Sequence, residues 1–103
     1  MFAAAQESDF IAIGANSNQN IIDPDHIVAS MLKRVDVAAY DIVKAALEGD
    51  LPVGSEMVLG LEDEGIGYTL DGSNIKVPED VVEKLEEIKE KIIAGEIQVP
   101  VEL

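Results

Sequence analysis

A short, uninterrupted apolar segment, Phe10-Ile-Ala-Ile-Gly14, limits the folds open to this chain more than any other feature. A strand with one solvated face alternates apolar and polar residues, whereas this run is apolar throughout, as expected of a strand buried on both faces of a parallel sheet. The following residues 15–25 are rich in Asn, Asp and Ser and include Pro24, so they are predicted to form a loop. A buried strand of this kind indicates an α/β fold.

Two helices are predicted with defined ends. Residues 35–48 place their apolar side chains on one face, and Gly49 with Pro52 stops the helix. The second helix starts at Pro78, where a missing N–H costs nothing, and closes at Gly95. The apolar stripe of the first helix comprises Val35, Ala38, Ala39, Ile42, Val43 and Ala46.

The remaining elements are short. Residues 2–8 look like the end of a helix, and residues 26–32 are either a second strand or the first turns of the following helix. Residues 55–61 and 66–70 are predicted to be two strands that pair as a hairpin. The alternating residues 97–103 suggest an extended tail or an edge strand.

Length and charge exclude several classes of function. At 103 residues the chain is expected to be a single domain, 1–103, too small for two lobes with a cleft between them. The formal charge of -14 disfavours nucleic acid and anionic membrane surfaces as partners, because both need a cationic face. There is no Cys and no run of about 20 apolar residues, so disulfides, a lipid-attachment cysteine and membrane insertion are not expected. The first residues lack the pattern of a signal peptide, so a cytoplasmic location is expected of the chain as written.

Four segments, in this order, resemble the closing third of the basic membrane protein family of periplasmic-binding-protein-like lipoproteins, the purine nucleoside receptors of ABC importers. They are residues 13–19, 28–43 and 58–68, and the closing Glu90-Lys-Ile-Ile-Ala-Gly-Glu-Ile-Gln-Val-Pro100. The resemblance implies a partial, Rossmann-type layered unit, truncated relative to the two-lobed receptor. It also favours a strand for residues 26–32, leading into the helix near Lys33.

The same resemblance implies three ligand-binding residues: Gly14, Asn16 and Lys33. In the family the loop after the first strand usually carries an aspartate where this chain has Asn16, and that aspartate reaches the ribose hydroxyls. A second aspartate position corresponds to Asn18. The competing interpretations are that Asn16, Asn18 and Asn20 are turn residues bonded to their own backbone, and that Lys33 is an ordinary solvated lysine.

The other reactive side chains form no convincing site. His26 is the only histidine, and its neighbours Asp23 and Asp25 make a weak metal constellation, so His26 is interpreted as incidental. Residues 62–64 are interpreted as a solvated acidic turn, and the glycines around them as residues that permit tight backbone geometry. No catalytic residue, metal or cofactor is predicted.

The expected function is a truncated or stand-alone C-terminal segment of a nucleoside receptor that binds ligand at most and is not an enzyme. An alternative is an oligomerisation or protein-interaction module that has lost ligand binding. An enzyme that uses carboxylates is a third possibility, which no residue spacing supports. A truncated sheet exposes an unpaired edge, so a homo-oligomer is expected.

Overall fold

A computed structural model describes residues 1–100 of the chain. Within them, three α-helices, three strands and one 3₁₀ turn alternate along the sequence, as an α/β fold requires. In chain order they are α1 (Phe2–Ser8), β1 (Ala12–Gly14), the 3₁₀ turn (Asn20–Ile22), β2 (Ile27–Lys33), α2 (Val35–Glu48), β3 (Ile66–Thr69) and α3 (Glu79–Ile93).

The three strands form one mixed sheet in the order β1-β2-β3. β1 and β2 are parallel, and residues 15–26 connect them across the sheet, about the dozen residues that a parallel crossover needs. The register shifts by one residue between Ala12 and Ile13, which marks a bulge in β2. β3 runs antiparallel to β2, with Ser30 opposite Thr69 and Lys33 opposite Ile66.

The predicted hairpin is wrong. Residues 55–61 form no strand, and β3 pairs with β2 instead. The loop before β3 is held by hydrogen bonds between its own residues. The Gly65 N–H donates to the Gly60 carbonyl at 3.0 Å, and the Gly60 N–H donates to the Asp63 carboxylate at 3.1 Å. β3 instead pairs with the last four residues of β2. Residues 97–100 are not in a strand, and the rest of the predicted tail lies outside the described residues.

Both long helices end as the sequence predicts. Gly49 after α2 and Gly95 after α3 each have φ of 79°, a left-handed conformation that glycine adopts without cost. After α3, the Glu96 N–H donates to the Lys91 carbonyl at 2.9 Å, which completes a Schellman motif. Pro78 is the N-cap residue of α3, immediately before the first helical residue, Glu79. Of the two alternatives predicted for residues 26–32, the strand is the one that forms, as β2.

The buried apolar core is small. Ala5 of α1 packs on Ala12 and Ile27 of the sheet, with Phe2 against them at the side. Neither α2 nor α3 contains a buried residue. α3 is held to the sheet by a hydrogen bond of 2.7 Å that the Tyr68 hydroxyl donates to a carboxylate of α3, Glu86.

The surface of the chain is much larger than that of a compact protein of its mass. Its accessible area is 7879 Å². A folded monomer of 11.0 kDa is expected to expose about 5,600 Å². The radius of gyration is 16.8 Å, against about 13 Å for a compact chain of this length. The chain therefore exposes about 2,300 Å² more surface than a compact monomer of this mass would.

A buried polar cluster, rather than an apolar one, connects the crossover loop to β2 and β3. The Asn20 side chain accepts a hydrogen bond of 2.7 Å from the Ser30 hydroxyl of β2. Its amide donates to the Thr69 carbonyl of β3 at 3.2 Å and to the Asp71 carbonyl at 2.9 Å. The Gln19 N–H donates to the same Ser30 oxygen at 3.0 Å. Asn20 and Ser30 are fully buried, so no water can replace these bonds.

Replacing Asn20 by Ala should destabilise the fold by about 2–3 kcal/mol, because the substitution leaves Ser30 and two carbonyls without their partner. Urea unfolding followed by circular dichroism measures the free energy of unfolding. Ser17→Ala, at an exposed loop residue with no side-chain hydrogen bond within residues 1–100, is the matched control and should change it by less than about 0.5 kcal/mol. Equal effects of the two substitutions would contradict this role for Asn20.

His26 is not incidental, as the sequence suggested, but holds the end of the crossover loop. Its Nδ1 atom lies 3.1 Å from both carboxylate oxygens of the buried Asp23, and its Nε2 atom lies 3.8 Å from Asp9. The hydrogen bond to Asp23 raises the pKa of His26 above 6.5, and the charges of Asp23, Asp9 and Asp25 add to this effect. The same bond lowers the pKa of Asp23 below 3.8.

The His26–Asp23 pair makes the stability of the fold depend on pH, and the directions of the two pKa shifts determine how. Stabilisation from protonated His26 is complete below pH 6.5 and is lost as the pH rises through its higher folded-state pKa. Stabilisation from ionised Asp23 is complete above pH 3.8 and is lost as the pH falls through its lower folded-state pKa. The melting temperature should therefore fall as the pH rises above about 6.5. In His26→Gln that fall should be absent; a fall of the same size in this variant would exclude His26 as its source.

Candidate functional site

The carboxyl ends of β1 and β2 bring the predicted ligand-binding residues to one edge of the sheet. β1 ends at Gly14 and β2 at Lys33, and because the strands are parallel their ends are neighbours. The Lys33 N–H donates to the Asn16 carbonyl at 2.9 Å, so the two residues are joined through their backbones. In open α/β sheets this edge is where ligands bind.

Asn16 exposes its side chain to solvent in the loop that follows β1. Its φ is 73°, a left-handed conformation that Asn and Asp tolerate better than other side chains. The side chain is exposed, and within residues 1–100 its amide makes no hydrogen bond. Asn18 differs, because its carbonyl oxygen accepts from the Asn20 N–H at 3.1 Å and its amide donates to the Asp71 carbonyl at 3.2 Å. The geometry of Asn18 is that of a turn residue.

The neighbours of Gly14 leave no room for a side chain at this position. A Cβ atom at this position would lie 2.4 Å from the Ser30 hydroxyl and 2.9 Å from the Gln19 Cβ atom. Gln19 sits there because its side-chain oxygen accepts a hydrogen bond of 2.9 Å from the Ala15 N–H. Gly14 therefore lets the loop after β1 fold down onto β2, and this arrangement sets the position of Asn16.

Lys33 is exposed, and within residues 1–100 its ammonium group takes part in no ion pair. It lines a pocket of about 230 Å³ beside the start of α2, together with Val35, Met57 and Leu59. Neither Gly14 nor Asn16 lines this pocket. The structure thus joins Lys33 to Asn16 through the backbone, while the lysine side chain borders a largely apolar space.

The neighbouring cation is already paired. The Arg34 guanidinium donates two hydrogen bonds to the Asp36 carboxylate, at 3.0 and 2.9 Å. These bonds lower the pKa of Asp36 to about 2. The Arg34 N–H donates to the Gly65 carbonyl at 2.9 Å, which ties the start of α2 to the loop before β3. Arg34 and Asp36 are thus engaged with each other, in agreement with their interpretation as surface or packing residues.

A larger cavity of about 430 Å³ lies between β3 and α3, where no site was predicted. Its polar lining includes Arg34, Tyr68, Glu86 and Lys89. The bond from the Tyr68 hydroxyl to Glu86 raises the pKa of Tyr68. The sequence gives no signal for this contact, because the two residues lie on different elements and neither belongs to a recognisable motif.

The described residues contain neither a cluster of metal ligands nor a membrane-spanning helix. Within residues 1–100, no three His, Asp or Glu side chains converge as a metal site would require. No helix in the same range combines the length and apolar character needed to cross a bilayer.

Comparison with known proteins agrees with the resemblance seen in the sequence. Residues 1–102 match the family described as "ABC transporter substrate-binding protein PnrA-like". A CD4+ T-cell-stimulating antigen of Listeria monocytogenes is 40% identical over 73 residues, which are 71% of this chain and 20% of that protein. Basic membrane protein D of Borreliella burgdorferi is 32% identical over 93 residues, or 89% and 27% of the two chains. An uncharacterized lipoprotein of Pyrococcus furiosus is 34% identical, over 84% and 25%.

The fold is also that of a solved receptor of this class. The crystal structure of an ABC transporter solute-binding protein from Aeropyrum pernix K1 matches 98% of this chain with a TM-score of 0.68 and 28% identity. The match covers 35% of that protein, and the chain spans about a quarter of the curated relatives. The predicted α/β class and the predicted kinship are both confirmed. The chain belongs to the family of PnrA-like ABC transporter substrate-binding proteins.

Proposed function

We propose that this chain is the C-terminal segment of a nucleoside-binding receptor of an ABC importer, and that it binds its ligand without catalysis. The observation that carries the proposal is the sheet edge where β1 and β2 end, with Asn16 and Lys33 joined by a hydrogen bond of 2.9 Å. Both side chains are exposed, that of Asn16 in the loop after β1 and that of Lys33 at the end of β2. Gly14 contributes by allowing the loop to approach β2.

The chemistry of the edge suits the sugar of a nucleoside. A ribose presents two vicinal hydroxyl groups, each of which can donate and accept hydrogen bonds. The Asn16 amide offers one acceptor and two donors, and the Lys33 ammonium offers three donors. A carboxylate in place of Asn16 would accept from both hydroxyls at once and form stronger, charge-assisted bonds. The chain as it stands is therefore expected to bind ribose more weakly than an aspartate-bearing relative would.

This sheet edge forms only part of a binding site. Good small-molecule sites bury about 70–90% of the ligand surface, and a single sheet edge cannot do so. The chain covers 35% of the solved receptor, so most of the walls of a receptor of this size come from elsewhere. Gly14, Asn16 and Lys33 then form one wall of the binding cleft, on the side of the sugar.

Titration calorimetry tests the proposal with adenosine, inosine and uridine and with their 2′-deoxy forms. Asn16→Asp should strengthen ribonucleoside binding about 10- to 100-fold, because the carboxylate adds a charge-assisted acceptor worth about 1–3 kcal/mol. Aspartate also tolerates the left-handed backbone at this position, so the fold is preserved. The gain should be smaller for 2′-deoxynucleosides, which lack one hydroxyl.

Lys33→Ala should abolish the same binding, and Lys44→Ala is its matched control. Lys44 is an exposed lysine on α2, away from the sheet edge, and its loss changes the net charge by the same amount. Equal weakening by the two substitutions would mean that charge alone, and not the edge, governs binding. Absence of heat with every nucleoside, for the wild type and for Asn16→Asp, would overturn the receptor proposal.

A second candidate function is an oligomerisation or protein-interaction module. The observation that favours it is the surface excess of about 2,300 Å², which is more than the roughly 800 Å² that each partner contributes to a standard interface. A homo-oligomer in sedimentation velocity would support this function. A folded monomer at micromolar concentration would contradict it.

A further inference from the structure

Gln19 connects β2 to the part of the crossover loop that carries Asn16. Its backbone N–H donates to the buried Ser30 hydroxyl of β2 at 3.0 Å. Its side-chain oxygen accepts a hydrogen bond of 2.9 Å from the N–H of Ala15, the residue directly before Asn16. Gln19 is thus bonded both to the sheet and to the segment that leads into the proposed ligand contact.

Asn16 is bonded to β2 on its other side. The Lys33 N–H donates to the Asn16 carbonyl at 2.9 Å. The bonds from Ala15 to Gln19 and from Lys33 to Asn16 therefore fix the peptide groups on either side of the Ala15–Asn16 segment. Because peptide groups are planar, fixing both of them restricts the backbone between them and with it the direction of the Asn16 side chain.

The other polar side chains of the loop bond elsewhere. The Asn18 amide donates to the Asp71 carbonyl, and the Asn20 amide donates to the carbonyls of Thr69 and Asp71. Within residues 1–100, the Asn16 amide itself makes no hydrogen bond. Among the described contacts, Gln19 is therefore the side chain that controls the segment before Asn16.

The bond between Ala15 and Gln19 contributes more to position than to stability. It lies at the exposed surface, so a water molecule can replace the Gln19 oxygen as the acceptor for the Ala15 N–H at little cost. A water molecule is not tied to β2, however, whereas Gln19 is tied to it through Ser30. Loss of the Gln19 side chain should therefore leave the chain folded and Asn16 less precisely placed.

We propose that Gln19 is a positioning residue that makes the sheet edge selective for ribose over 2′-deoxyribose. The proposal rests on the receptor function proposed above. Hydrogen bonds weaken steeply as their geometry departs from linear, so a side chain that bonds two neighbouring hydroxyls at once must be held in a narrow range of positions. A loosely held side chain can still follow a single hydroxyl. Loosening Asn16 should therefore weaken the binding of a ribose more than that of a 2′-deoxyribose.

Titration calorimetry with inosine and 2′-deoxyinosine tests the proposal in the Asn16→Asp variant, which is expected to bind most strongly. Gln19→Met keeps an unbranched side chain and removes the oxygen acceptor. It should lower the affinity for inosine roughly 10-fold and that for 2′-deoxyinosine less than about twofold, so the ratio of the two approaches one. A loss of stability alone would not change this ratio.

Two further variants serve as controls. Gln19→Glu retains an oxygen that accepts from the Ala15 N–H, so it should keep the ratio of the parent protein. Gln98→Met makes the same change as Gln19→Met at an exposed glutamine after α3, and it should leave both affinities unchanged.

Amide hydrogen exchange followed by NMR tests the positioning without any nucleoside. In Gln19→Met, the Lys33 amide should exchange roughly 5-fold faster, because its acceptor, the Asn16 carbonyl, is held less firmly. The Ala12 amide, which donates to the His26 carbonyl at 2.8 Å, is the internal reference and should exchange at an unchanged rate.

Three results would overturn the proposal. One is equal weakening of inosine and 2′-deoxyinosine binding by Gln19→Met. Another is a loss of the ratio in Gln19→Glu as large as in Gln19→Met. The third is an unchanged exchange rate of the Lys33 amide in Gln19→Met. Absence of nucleoside binding in every variant would overturn the receptor function and the selectivity with it, and faster exchange of the Lys33 amide would then still support the positioning of Asn16 by Gln19.

Discussion

The Asn20 side chain is the point on which the arrangement of the sheet depends. It is buried in the crossover loop and bonds to Ser30 of β2 and to the carbonyls of Thr69 and Asp71 at the end of β3. Because three apolar side chains are buried within residues 1–100, shape is determined here by directed hydrogen bonds more than by apolar packing. Because such bonds fix both distance and angle, the loop after β1 is held in one position, and Asn16 with it.

The sequence predicts the elements that carry a periodic pattern or a capping residue. α2 and α3 end at Gly49 and Gly95 as expected, and the apolar run before Gly14 contains β1. The expectation that this strand is buried on both faces is wrong for the described chain, because Ile13 is 61% exposed. The sequence does not predict which strands pair with each other. Nothing in residues 55–61 indicates that β3 pairs with β2 and not with this segment. Likewise, the Asn-rich loop signals a turn, but only the folded chain shows that Asn20 is buried while Asn16 is exposed. The β2–β3 pairing and the burial of Asn20 join residues far apart in the chain, and local sequence patterns do not reveal such contacts.

The left-handed backbone at Asn16 has a consequence for how this family can change. Few side chains tolerate a φ of 73°, and Asn and Asp are among them. Their codons differ by one nucleotide, so a single mutation exchanges a neutral amide for a carboxylate while the loop keeps its shape. Under the proposed function, a lineage carrying this turn can therefore raise or lower its affinity for a sugar in one step and return by the same step, without passing through a misfolded intermediate.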